Sequence, residues 1–140
     1  MSFDRAEFLN ILLIASHMAN VDGELHPAEK KILVALFKSI GVTPDEEVEL
    51  RTKKSLEKMF EEMKSKQAKN ILIDVLAMIA EADGKYVQSE IQFIQRASKR
   101  LNLDISNHPF FKGSGQLDME KVHQNVEAII DNINLSVPFS

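Results

Sequence analysis

The sequence predicts an all-α protein, a bundle of about six or seven helices built from two related helix–turn–helix repeats. Three observations carry this. Apolar residues recur at helical spacing almost throughout. The five glycines and four prolines accompany no Val/Thr/Tyr-rich alternating segment that would mark a strand. Finally, VDGELHPAE (21–29) and ADGKYVQSE (82–90) share one skeleton, an Asp-Gly turn, a residue, a hydrophobe, and Glu seven positions after the Asp.

In the first helix, Phe8, Leu9, Ile11, Leu12, Leu13, Ile14, Ala15 and Met18 are apolar nearly all round. This predicts burial on most sides rather than a single stripe. Ile32, Leu33, Leu36, Phe37 and Ile40 give the second helix one apolar face, and Gly41 suits its C-terminal stop. Thr43-Pro44-Asp45-Glu46 is a capping box with Pro at the first helical position. It opens a third helical region whose apolar side is Val48, Leu56, Met59, Phe60 and Met63.

A shift of 61 residues lays Asp22-Gly23 on Asp83-Gly84. Ala19 then meets Ala80, Glu29 meets Glu90 and Lys38 meets Lys99, while Ile11, Leu12, Ile14 and Met18 meet Leu72, Ile73, Val75 and Ile79. The matching turn identities point to duplication, since apolar periodicity alone is shared by all helices. The whole chain, 1–140, is expected to be one domain. The first repeat covers about 5–43, a helical linker 44–66, the second repeat about 67–104, and a C-terminal loop and helix 105–140. Asp104 to Gln116 reads as a loop, after which Asp118 caps a helix with the stripe Met119, Val122, Val126, Ile129, Ile130 and Ile133. The Phe110-Phe111 pair in the loop is a candidate interaction point for another protein, or an anchor of the loop to the core.

Composition excludes several functions. With no cysteine there is no disulfide, thiolate metal site or Cys nucleophile. A net charge of −4, with each lysine group set among acids, argues against nucleic acid as a partner. Pure apolar runs such as Ile11 to Ala15 are far shorter than a membrane span. With no signal peptide evident, a cytoplasmic location is expected. There is no Gly-rich phosphate loop, and no Ser/His spacing suggests a nucleophile and base.

The acidic turns are the candidate site. Gly23 and Gly84 suit the left-handed residue that ends a helix. The next helices start near His26 and Val87, placing Glu29 and Glu90 at the third helical position, where a carboxylate meets free N–H groups and the positive helix end. Neither His26 nor Val87 is a good cap, so Asp22 and Asp83 are candidates to satisfy those donors. Tyr86 against Ile91 has the spacing of a hydrophobic staple. Capping is thus one complete role for all four acids. Calcium binding is the alternative. Aligned to an EF-hand loop, Gly23 and Gly84 take the glycine slot, Leu25 and Tyr86 the apolar slot, and Glu29 and Glu90 the bidentate slot. Asp22 with Asn20, and Asp83 with Glu81, supply further oxygens. The first ligand slot falls on Met18 and Ile79, which excludes a true EF-hand. What stays open is an incomplete oxygen site for a divalent cation, Ca²⁺ or Mg²⁺, from Asp22, Glu29, Asp83 and Glu90, with Asn20 and Glu81 as possible additional ligands.

The doubled pattern Ala-x-x-Asp-Gly-x-hydrophobe-x-x-x-Glu, each copy after a buried helix and before an amphipathic one, resembles the tellurite-resistance TerB-like domain family. It is also similar to the N-terminal domain of DjlA-type co-chaperones. Asn20 to Leu25 with Glu29, and Glu81 to Tyr86 with Glu90, carry the resemblance, which spans about residues 5–103. It implies a pseudo-twofold helical bundle without enzymatic activity and an acidic metal or interaction site on Asp22, Glu29, Asp83 and Glu90. It further implies a link to metal or tellurite stress and to complexes at the inner membrane face. His26 and Val87 depart from the family, where Ser or Thr is usual. The expected function is a non-enzymatic helper or scaffold that presents both turns to a cation or a basic protein partner. The alternatives are a plain protein–protein interaction module with purely capping acids and, third, a metal-dependent hydrolase.

Overall fold

The computed structural model describes residues 5–21, 26–82, 84, 87–105, 108–112 and 116–136. Over these the protein is all-α, with seven helices: α1 Arg5–Ala19, α2 Pro27–Ser39, α3 Pro44–Lys53, α4 Leu56–Glu61, α5 Lys66–Glu81, α6 Gln88–Arg100 and α7 Met119–Ser136. Among the described residues the only strand-like pairing is an isolated antiparallel bridge between Phe111 and Leu117.

The nearly all-round apolar helices form the centre. α1 buries an unbroken run from Asn10 to Ser16, and α5 one from Val75 to Ala80 together with Ile71, Leu72 and Ile73. These two helices pack most extensively on each other. α2, α3 and α4 lie against α1, whereas α6 and α7 lie against α5, so the outer helices cover the central pair from both sides. That arrangement explains why the outer helices need just one apolar face.

Local signals set most boundaries. In the Thr43 capping box, Thr43 Oγ1 accepts from the Glu46 N–H and the Thr43 N–H donates to Glu46 Oε1, both at 3.2 Å. Beyond α2, Gly41 (φ +77) donates to Lys38 O at 3.0 Å and Val42 donates to Phe37 O at 3.0 Å, the two-bond Schellman closure. α6 ends in the same way: Asn102 (φ 59) donates to Lys99 O at 3.2 Å and Leu103 to Ser98 O at 2.8 Å. Asparagine is the side chain that best tolerates this left-handed site after glycine.

The third helical region differs from the sequence expectation. It is two helices, divided at Lys54 and Ser55, because Ser55 caps a new helix by accepting from the Lys58 N–H at 3.2 Å. Val48, expected on the apolar side, is 48% exposed, while Glu47 is buried. The reason is polar: Glu47 has a hydrogen-bonding partner on α1, and its demand fixes the rotation of α3.

We expect Leu76→Ala, at the centre of α5, to cost about 2–5 kcal/mol. Thr43→Ala, which removes a solvent-exposed cap, should cost about 1 kcal/mol. Urea unfolding with unchanged m-values measures both, and a reversed order would contradict the central role of α5.

Candidate functional site

The acids of the turns are built by helix starts. α2 opens at Pro27 behind His26 and α6 at Gln88 behind Val87, and neither cap side chain makes a capping hydrogen bond. Glu29 and Glu90 therefore occupy the third helical position, as their spacing predicts, and both are 0% exposed. Each carboxylate sits at the positive end of its helix, which favours its charge, while its removal from water has to be offset by polar partners. Asp22, Gly23, Leu25, Asp83 and Tyr86 lie outside the described residues. Gly84 has the left-handed φ of +74 that the turn calls for, and its N–H donates to Glu81 O at 2.8 Å.

The two residues at the first EF-hand slot, Met18 and Ile79, are completely buried in the core. No oxygen is offered there, so neither turn can follow the EF-hand pattern. The suggested additional ligands are differently engaged. Asn20 Nδ2 donates to Ser16 O at 2.7 Å, tying the side chain back to α1. Glu81 Oε1 pairs with His123 Nδ1 of α7 at 2.9 Å. Among the described residues, no three His, Asp or Glu side chains group as a metal site.

A polar cluster that the sequence left unread lies between α1 and α3. Ser16 Oγ, buried in the middle of α1, donates to Glu47 Oε1 at 2.5 Å, and Arg51 Nε donates to the same oxygen at 3.0 Å. One helical turn separates Glu47 from Arg51, the spacing of a stabilising pair, so that half was readable. Its connection to Ser16 was not, because it depends on how α3 crosses α1. Nearby, Lys54 Nζ donates to Asn10 Oδ1 at 3.2 Å, satisfying the other buried polar side chain of α1.

The C-terminal loop is held by a histidine clip. His108 Nδ1 accepts from the Phe110 N–H at 3.2 Å, which requires the proton to be on Nε2. Nε2 then donates to Asp74 Oδ1 of α5 at 2.9 Å. Both ring nitrogens are used. Phe110 and Phe111, each 7% exposed, pack into the core, and the His108 ring lies 5.1 Å and 5.6 Å from theirs. As packed here the two rings anchor the loop and present little surface to a partner.

Burial holds the His17 imidazole below the ordinary value of 6.5, Arg51 adds to the depression, and Glu47 opposes it. Among the described residues its Nε2 is buried without a hydrogen-bond partner. Between the depressed folded value and 6.5 the unfolded chain binds more protons, so folding stability falls as pH drops through that interval. The depressed carboxylates Glu49, Glu57 and Glu62 act only below their ordinary 4.5, in a separate interval. Chemical denaturation between pH 7 and 5 should therefore show a loss of stability that His17→Gln flattens. An unchanged slope in the variant would contradict this.

No helix among the described residues is long and apolar enough to cross a membrane. No curated protein and no solved structure matches the chain. The family model described as tellurite resistance protein TerB matches residues 9–108, from the first buried helix through the second acidic turn to the His108 clip. With most of its length and all of α2 to α6 inside that match, this chain belongs to the TerB family.

Proposed function

We propose that this TerB-family chain works without catalysis, as a helper or scaffold domain in metal or tellurite stress, and presents its two acidic turns to a divalent cation or a basic partner surface. The observation that carries the proposal is the complete burial of Glu29 and Glu90 at the same position of two helices. The donor set is all oxygen, which suits a hard cation such as Ca²⁺ or Mg²⁺ rather than a soft one. Asp22, Glu29, Asp83 and Glu90 would hold it, with Asn20 and Glu81 nearest in sequence to complete the set. The similar helix closures at Gly41 and Asn102 support a duplicated hairpin as the frame. A cytoplasmic location, and a protein partner in a complex at the inner membrane face, belong to the same proposal.

A second reading is supported by the missing cap bonds at His26 and Val87. In this reading the acids are purely structural, satisfying helix-start N–H groups, and the chain is a plain interaction module.

Thermal unfolding separates the two. In wild type, Ca²⁺ or Mg²⁺ at 100 times its dissociation constant should stabilise the fold by about 2.7 kcal/mol. Asp22→Asn/Asp83→Asn should lose that gain. A midpoint indifferent to every ion sinks the cation proposal, and a double variant destabilised with no ion present assigns the acids to capping.

A further inference from the structure

The cleft between α2 and α3 has its polarity inverted. Val34 on α2 and Val48 on α3 are 37% and 48% exposed at its rim, while Glu47, adjacent to Val48, is 9% exposed inside. The Ser16–Glu47 bond that sets this rotation leaves both valines at the rim, where neither is covered. The cleft encloses about 260 Å³, and Leu33, Phe37 and Val42 form its apolar wall. Such a volume takes one or two bulky apolar side chains rather than an extended ligand.

Its polar end is specific. Ser16 and Arg51 both donate to Oε1 of Glu47, and among the described residues Oε2 of Glu47 and the Nη groups of Arg51 take no hydrogen bond. An open acceptor thus sits beside an open donor at the end of an apolar slot. At the mouth Lys30 faces a ligand with one positive charge and Asp45 with one negative charge. The four charges cancel. An anion would meet the free oxygen of Glu47, and a cation would meet the guanidinium of Arg51. The complement is a neutral, dipolar group, and the main-chain amide is the one proteins carry, because in an extended chain the N–H and C=O of one residue point to the same side.

We infer that the α2–α3 cleft docks a segment of a partner protein, one bulky aliphatic or aromatic side chain between Val34 and Val48, with that residue's N–H on Glu47 and its C=O on Arg51. Asn20, which precedes the first acidic turn, also lines this cleft, and the docking contacts named use none of the turn carboxylates.

The probe is N-acetyl-leucine amide, with N-acetyl-phenylalanine amide beside it, titrated into the ¹⁵N-labelled full chain and followed by amide chemical shifts. We expect saturable shifts confined to the amides around Val34, Phe37, Val42, Val48 and Arg51. Val48→Lys and Val34→Lys, both at exposed positions and therefore compatible with the fold, should each weaken binding at least tenfold with the rest of the spectrum unchanged. Glu47→Gln, in a folded variant, should weaken both amides. Absence of saturable shifts overturns the inference, as do shifts that survive Val48→Lys. Equal binding of N-acetyl-glycine amide removes the apolar anchor, and tighter binding of hexanoate than of the leucine amide removes the peptide partner in favour of an anionic ligand.

Discussion

α1 and α5 are withdrawn from water over most of their length and pressed against each other, and every other helix takes its place from that contact. A helix buried on nearly all sides has little tolerance for polar side chains, so the few it carries act as fixed points. Asn10 and Ser16 on α1 fall in this class, as does Asp74 on α5. Each draws one distinct segment to it: Lys54 comes to Asn10, Glu47 to Ser16, and the loop residue His108 to Asp74. The apolar surfaces hold the bundle together, while these buried and partly buried polar contacts set the rotation of α3 and the path of the C-terminal loop. Arg5 and Glu7, at the opening of α1, add two ties, with Arg5 Nη2 donating to Ile40 O at 2.6 Å and Glu7 Oε2 accepting from the Ser65 N–H at 3.2 Å.

The central helices were legible because an all-round apolar run leaves no choice of face. Helix ends were legible where chemistry is local, as at the Thr43 box and the Gly41 stop. The division between α3 and α4 escaped, although Ser55 is a good cap, because no glycine or proline marks it. The direction in which Val48 points escaped for a different reason. Periodicity places Val48 on an apolar stripe, and only the position of Ser16 on another helix reveals that Glu47 takes the inner side. Tertiary hydrogen bonds of this kind have no sequence period.

For the acidic site, the sequence placed Glu29 and Glu90 at the third helical position and Met18 and Ile79 inside apolar helices, both as observed. It did not foresee that both glutamates would be wholly buried, since third-position acids usually sit in solvent at a helix mouth. The TerB family match extends over the same segment in which these turns lie. The histidines divide similarly. His108 and His123 each join a C-terminal element to a carboxylate on α5, pairings across more than thirty residues that spacing alone does not announce.

The tethering of α3 has a dynamic consequence. Glu47, itself 9% exposed, is the most buried residue described for that helix, with Leu50 only partly covered, so lifting α3 away exposes little apolar surface. The work of opening is mostly that of parting Ser16 from Glu47 and Lys54 from Asn10, after which water can solvate both ends. By burial alone, backbone amides of α3 should therefore open more readily than those of α1 and α5. The bundle thus combines a heavily buried axle, α1 with α5, and one lightly buried panel, α3, held to it chiefly by polar ties.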